Sequence, residues 1–229
     1  MVAAIAFNPD EIREYAAKAG LGFQFTAKEA FLFEMMELFA DGKFVLKGGT
    51  AINKGYLIGH QRFSEDLDYD TNLKRGEVEA FVRSLGWKTK RDFFSRHSIG
   101  FALAYTFNGV EDVIKVDVSF GLKGAHGKMK AVSDFLPVSK RAEMYTFQEL
   151  NHQKEKAILE RKEWKDLYDL YWMSKASPKE FRISDGKAFA EALKNLQVPK
   201  TANAYIPRAK RPNWDEVKEE MLHYAGKGR

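Results

Sequence analysis

The stretch Phe44-Val45-Leu46-Lys47-Gly48-Gly49-Thr50-Ala51 through Leu57, with Arg62-Phe63-Ser64-Glu65-Asp66-Leu67-Asp68-Tyr69-Asp70 after it, decides how this chain folds. Phe44 to Leu46 is a short apolar run that reads as a buried strand. The Gly48-Gly49 pair allows a tight turn, and a helix is expected from Ala51 to about Leu57, ended by Gly59. Asp66 to Asp70 then alternates polar with apolar at period two, the pattern of a strand.

Working outward, Pro9-Asp10-Glu11 opens a helix with acidic residues at its positive end, and Gly20 and Gly22 close it. Thr26 with Glu29 three residues on reads as a capping box for a second helix, whose apolar face includes Phe31, Met35 and Phe39. Arg75 to Leu85 is amphipathic and ends at Gly86. Ser98 to Phe107 and Val113 to Phe120 read as a hairpin about Asn108-Gly109, while Gly121 to Lys130 reads as a loop. Past Pro137 the periodicity is helical: Thr146 to Arg161, Asp166 to Met173, Ser184 to Leu196 and Trp214 to Tyr224. Val198 to Pro212, rich in proline and basic residues, reads as an extended connector or a mobile loop. The expected architecture is α+β: a lobe of sheet with flanking helices over residues 1–145, then a helical lobe over residues 146–229.

Composition removes whole classes of function. The 229 residues are 45% hydrophobic and 30% charged, which is globular rather than disordered or low in complexity. With no cysteine, a disulfide scaffold, a Cys-based zinc site, an iron–sulfur cluster and a thiol nucleophile are all out. No apolar run approaches the roughly 18 residues that span a bilayer. Met1 to Phe7 lacks the basic flank of a signal peptide, so a soluble, cytoplasmic protein is expected. The net charge of +5 suits a protein that meets polyanions, but ordinary cytoplasmic proteins share it.

Four motifs carry chemistry. Lys47-Gly48-Gly49-Thr50-Ala51 joins a strand end to a helix start, where free N–H groups and the Thr50 hydroxyl can hold an anion. In isolation it reads more readily as a tight turn with Thr50 as cap. Asp66 and Asp68 lie on one strand face and repel unless a cation sits between them, a pairing that suits Mg²⁺ with a triphosphate. A bare Asp-x-Asp is a weak signal; about sixteen residues after a Gly-Gly-Thr turn it is stronger. In Ile114-Lys115-Val116-Asp117-Val118, Asp117 stands on the polar face and supplies a third carboxylate if its strand lies beside the pair. Lys154 and Arg161, two turns apart, share a helix face and could neutralise phosphates, with Asp166 orienting them. An exposed helix laced by ion pairs explains that spacing equally well.

The ordered set Lys47-Gly-Gly-Thr-Ala51, Arg62-Phe-Ser-Glu-Asp-Leu-Asp68, Lys115-Val-Asp-Val118, then Lys154 with Arg161 and Lys165-Asp-Leu-Tyr-Asp169, resembles the AbiEii/AbiGii nucleotidyltransferase toxins, a group that includes the MenT toxins. Gln153 stands where the family usually has an acidic residue, and Lys165 where it usually has Arg. The resemblance implies a fold of the DNA polymerase β-like nucleotidyltransferase superfamily. It also implies transfer of a nucleotide from an NTP to an RNA end, with tRNA as the acceptor, and a separately encoded antitoxin. On that likeness Asp66, Asp68 and Asp117 would bind Mg²⁺ or Mn²⁺. Gly48, Gly49, Thr50, Ser64, Lys154 and Arg161 would hold the nucleotide. Asp66, Asp68, Lys154 and Asp166 would form the catalytic set. Two other readings compete: a silent RNA-binding module, against which the intact acidic set argues, and a transferase acting on a small molecule or a protein hydroxyl. Lys88, Lys90, Arg91 and Arg96, and Lys123, Lys128 and Lys130, favour an RNA acceptor.

Overall fold

The computed structural model describes residues 5–227. The first four residues, part of the stretch weighed above as a signal peptide, lie outside the described residues, as do the last two. Seven strands form one mixed sheet in the order β3-β4-β5-β2-β1-β7-β6. They are β1 (Phe44–Lys47), β2 (Asp66–Thr71), β3 (Lys88–Phe94), β4 (Ser98–Phe107), β5 (Val110–Phe120), β6 (His126–Val132) and β7 (Ser139–Tyr145). β2 runs parallel to β5 and β1 parallel to β7; the other neighbours are antiparallel.

Alternation sorts the central strands into two faces. Leu67 and Tyr69 of β2, Ile114, Val116 and Val118 of β5, and Ile99, Phe101, Leu103 and Tyr105 of β4 are all buried. They are covered by α2 (Phe23–Leu38), its C-cap Phe39, and α4 (Arg75–Ser84): Phe39 stacks on Tyr69, Phe81 packs on Phe44, and Phe31 stacks on Tyr105 with centroids 3.9 Å apart. Such pairs add about 1 kcal/mol each beyond the area they bury. The opposite face carries the polar set of β2 and β5, which includes the candidate residues Asp66, Asp68 and Asp117.

Helix α1 (Pro9–Ala19) is capped by Asn8 in a capping box with Glu11 and closed by left-handed Gly20. The capping box expected of Thr26 and Glu29 does not form. α2 begins earlier, at Phe23, so Thr26 lies inside the helix and its hydroxyl donates back to the Gly22 carbonyl. Glu29 is instead fully buried, accepting from Lys54 at 2.5 Å and from Ser133 Oγ at 2.6 Å. Burial pushes the Lys54 ammonium below its usual range, against the pull of Glu29.

Three strands escape the sequence reading. β3 is exposed throughout, β6 falls largely in the stretch taken as a loop, and β7 follows Pro137, where helix was expected. The helices α5 (Phe147–Arg161), α6 (Trp164–Ala176), α7 (Gly186–Asn195) and α8 (Trp214–Lys227) come next. The connector before α8 is not an extended segment or an irregular loop: it holds 3₁₀ turns at Lys200–Tyr205 and Arg208–Lys210. The Tyr205 carbonyl accepts from the Phe63 N–H, and its ring packs on Phe25 and Trp164. One hydrophobic core includes residues from Phe31 in α2 to Ala225 in α8. No helix among the described residues is long and apolar enough to cross a membrane.

Candidate active site

The strand registers place Lys47 opposite Asp68, Asp68 opposite Asp117, and Asp117 opposite Gly100. Directly paired residues point to the same side of a sheet, so Asp68 and Asp117 are lateral neighbours, with Asp66 one step along β2. Burial is the main cause that raises all three carboxyls above their ordinary range. Like charges add to it: Asp66 acts on Asp68, and both act on Asp117, which is pushed up to about 6. Asp117 Oδ1 is buried and accepts no hydrogen bond.

This donor set fits a hard divalent cation. Three carboxylates resist ionising side by side, and a buried oxygen without a donor is what a cation would satisfy. Among the described residues no group of three or more His, Cys, Asp or Glu side chains is placed to hold a metal ion, the expected set of Asp66, Asp68 and Asp117 included. Mg²⁺ does not require such a group, because it takes one or two carboxylates and fills its shell with water and phosphate oxygens.

Beside Asp68 the chain turns from β1 into helix α3 (Gly48–Gly55). Gly48 adopts φ +68°, and a Cβ there would stand 2.4 Å from Asp68 Oδ2, so glycine is required twice over. The Thr50 hydroxyl is buried, 2.6 Å from the Asp66 carbonyl oxygen and 2.8 Å from Ser64 Oγ. It ties the helix start to the start of β2, and Lys47, not Thr50, occupies the N-cap position. Lys47 Nζ reaches Asp70 at 2.5 Å and Ser119 Oγ at 3.0 Å, and Tyr145 OH donates to Asp70 at 2.6 Å. Asp70 is therefore partnered, unlike its neighbours on the strand.

A cleft of about 520 Å³ opens between this turn and α5, lined by Lys47, Gly48, Gly49, Asp68, Lys123, Gln153, Lys154 and Arg161 among others. The structure thus brings the expected lysine and arginine across from Asp68, while Asp66 and Asp117 lie outside the lining of this cleft. Neither is a free cation. Lys154 is buried, 2.7 Å from Asp166 and 2.9 Å from Asp169. Arg161 donates to both oxygens of Asp166 at 2.8 Å, with half of its side chain exposed toward solvent. Burial alone would raise Asp166, yet the hydrogen bonds of Arg161 and the charge of Lys154 hold it below the usual carboxylate range.

Sequence reasoning assigned no role to three members of this network. Asp169 is fully buried and takes both Nε (2.9 Å) and Nη2 (2.7 Å) of Arg62. Asn53 donates to Asp169 at 3.0 Å and to the Gly49 carbonyl at 2.8 Å, and accepts from the Arg62 N–H at 2.9 Å. The helices after β7 are thereby bonded to the glycine turn itself. The signal was present: Asp166 and Asp169 stand three apart on α6 and face one way, as a pair that must meet cations.

A family model described as "Nucleotidyl transferase AbiEii toxin, Type IV TA system" matches residues 30–226. No curated protein matches the chain. Among solved structures, the chain is similar to JHP933 from Helicobacter pylori, with 20% identity over 90% of this chain and 92% of that one and a TM-score of 0.68. It is also similar to MenT4, a nucleotidyltransferase toxin from Mycobacterium tuberculosis. There the identity is 15% over 96% of this chain and 90% of that one, with a TM-score of 0.62. At such identities the likeness speaks for the fold.

Proposed function

The chain belongs to the AbiEii family of nucleotidyl transferase toxins of type IV toxin–antitoxin systems, and from that premise we propose that it transfers a nucleotide from an NTP to an RNA end, with tRNA as the acceptor. The observation that carries this reading is the cleft that sets Asp68 and the glycine turn opposite Lys154 and Arg161, with the orphaned Asp117 oxygen beside Asp68 in the sheet. In transfer, the acceptor hydroxyl oxygen bonds the α-phosphorus, the bond to pyrophosphate breaks, and the hydroxyl proton leaves to water.

Asp66, Asp68 and Asp117 are the residues that would hold Mg²⁺ or Mn²⁺, which when bound supplies neutralisation of charge on the phosphoryl oxygens. The N–H groups at the start of α3, at Gly48 and Gly49, face the triphosphate together with Ser64. Thr50 supports them by fixing Ser64 and Asp66. Arg161, half exposed and rigidly forked onto Asp166, is the cation best placed for phosphate oxygens. Lys154 and Asp166 act by position. A carboxyl held anionic by two cations is a weak base, and a buried lysine shared by two aspartates sets the shape of the wall. On this reading the α/β part, residues 1–145, supplies the metal ligands and residues 146–229 supply the phosphate wall. A separately encoded antitoxin would be the partner that holds the enzyme in check.

Incubating the purified protein with each labelled NTP, Mg²⁺ or Mn²⁺ and total RNA, then resolving the products on a gel, tests the reading. Label in a discrete RNA band supports it. Label that enters only protein or a small molecule transfers the chemistry to another acceptor and overturns the RNA assignment.

A further inference from the structure

The row that carries Lys47, Asp68 and Asp117 does not end at Asp117. It continues through Gly100 of β4 to Phe93 of the edge strand β3. A Cβ on Gly100 would lie 2.2 Å from the Phe93 ring and 2.8 Å from Asp117 Oδ1. The ring therefore lies over the one position in the row that has no side chain, close to the orphaned oxygen of Asp117. It is not a core residue, for 38% of Phe93 is exposed.

A β-bulge between Arg91 and Phe93 produces this placement. With regular pairing, Asp92 would stand opposite Gly100 and Phe93 opposite Ile99, on the face covered by α4. The bulge moves Phe93 into register with Gly100 and leaves Asp92 beside Lys115, 3.4 Å away. Phe94 keeps to the other face, where the Arg75 guanidinium lies 4.2 Å from its ring centroid. Lys88 and Lys90 pair with Ala104 and Ala102 and so share the face of Phe93. The edge thus presents an aromatic plane flanked by exposed cations, which is the composition that grips single-stranded nucleic acid. The cleft that would take the triphosphate lies at the opposite end of the row, at Lys47. In-line displacement brings the nucleophile from the side away from the leaving group.

We propose that Phe93 is a positioning residue for the acceptor: its ring stacks the terminal nucleobase of single-stranded RNA and delivers the end hydroxyl to Asp117 and Asp68. The proposal rests on the RNA-acceptor reading above. Stacking is indifferent to base identity, so Phe93 governs acceptor affinity and the reach of the end, not sequence choice.

The test compares wild type, Phe93→Ala and Phe93→Tyr in transfer from labelled NTP to RNA, with KM measured separately for RNA and for NTP. A second readout is quenching of an oligoribonucleotide that carries 2-aminopurine at its 3′ end, which needs no turnover. Phe93→Ala should raise the RNA KM about tenfold and abolish the quenching. It should leave the NTP KM unchanged, and Phe93→Tyr should restore both readouts. An unchanged RNA KM and quenching overturn the proposal while the RNA reading stands. A rise in NTP KM instead assigns the ring to the incoming nucleotide and also overturns it. If wild type neither labels nor binds RNA, the RNA reading itself fails and this proposal with it. Loss confined to antitoxin binding would make the platform a protein contact.

Discussion

Asp66, Asp68 and Asp117 on the sheet and Asp166 and Asp169 on α6 are two clusters of one residue type, yet their carboxyls are shifted in opposite directions. The sheet set has burial and mutual repulsion and few donors, and all three carboxyls are raised. The helix set is more deeply buried still, but Arg62, Lys154 and Arg161 surround it, and both carboxyls are lowered. The same residue type is thus a strained, open donor in one place and a satisfied structural joint in the other. The first pattern is the one expected where stability is spent on function. The second joins the late helices to the glycine turn.

Breaking the joint should have the largest effect. Asp169→Ala strands Arg62 and Lys154 as buried charges without their shared partner, which costs about 3–5 kcal/mol. For a chain of this length the melting temperature should fall on the order of 10 °C, read by calorimetry or circular dichroism. A variant as stable as wild type would mean that the network is not a joint.

The sheet set should behave the other way. Asp68→Asn should lower transfer on the order of 10²–10³-fold, the scale on which loss of one electrostatic stabiliser acts. Its melting temperature in metal-free buffer should hold or rise, because a charge that burial disfavours is removed. Loss of activity accompanied by a large fall in melting temperature would erase the contrast between the two clusters.

What was legible in the sequence follows the same division. Asp66, Asp68 and Asp117 could be found because strand alternation fixes their faces within a few residues. The spacing of Asp166 and Asp169 puts both on one helix face, but it does not say which cations they meet: Arg62 lies 107 positions from Asp169, and no local period announces that contact. β3 and β6 were missed because edge strands alternate weakly when both faces meet water: all of Lys88–Phe94 is exposed. β7 was missed because Ser139–Tyr145 has only a short apolar signal before the stronger helical pattern of α5. Glu29 was misread because three-residue spacing from Thr26 is shared by a capping box and by a helix face turned toward Lys54.

Acid titration separates the clusters by sign. Asp166 and Asp169 have folded pKa values below those of the unfolded chain, so the stability they add is present above the ordinary carboxylate range. It is lost as pH falls through their folded values. Asp117 has a folded value of about 6, above its unfolded one, so the native state binds the extra proton between about 4 and 6. Across that window its ionisation makes stability fall as pH rises. In chelator, Asp117→Asn should therefore flatten a downward slope between pH 4 and 6 and leave the acid limb below it in place. Melting temperatures across the range check this, and an unchanged slope in the variant would remove Asp117 from the strained set.

The smallest effect tests how far the sheet's functional face extends along its edge. Lys88 and Lys90 share the face of Phe93 and Asp117, whereas Arg91 pairs with Phe101, points to the other side and meets Glu79 of α4. A contiguous run of Lys88, Lys90 and Arg91 therefore does not act as one patch, contrary to what its sequence suggests. If the face holds acceptor phosphates, each neutralised phosphate adds about 0.7 to the slope of log affinity against log salt for a single strand. Replacing Lys88 and Lys90 with Gln should lower that slope by about 1.4, while Arg91→Gln should leave it nearly unchanged. NTP affinity should move in neither variant, because the cleft proposed for the triphosphate lies at the far end of the row. Equal slopes in all three proteins would confine the acceptor contact to the carboxylates and the ring. A larger loss from Arg91→Gln would place the RNA on the helix-covered side and break the assignment of one face to function and the other to the core.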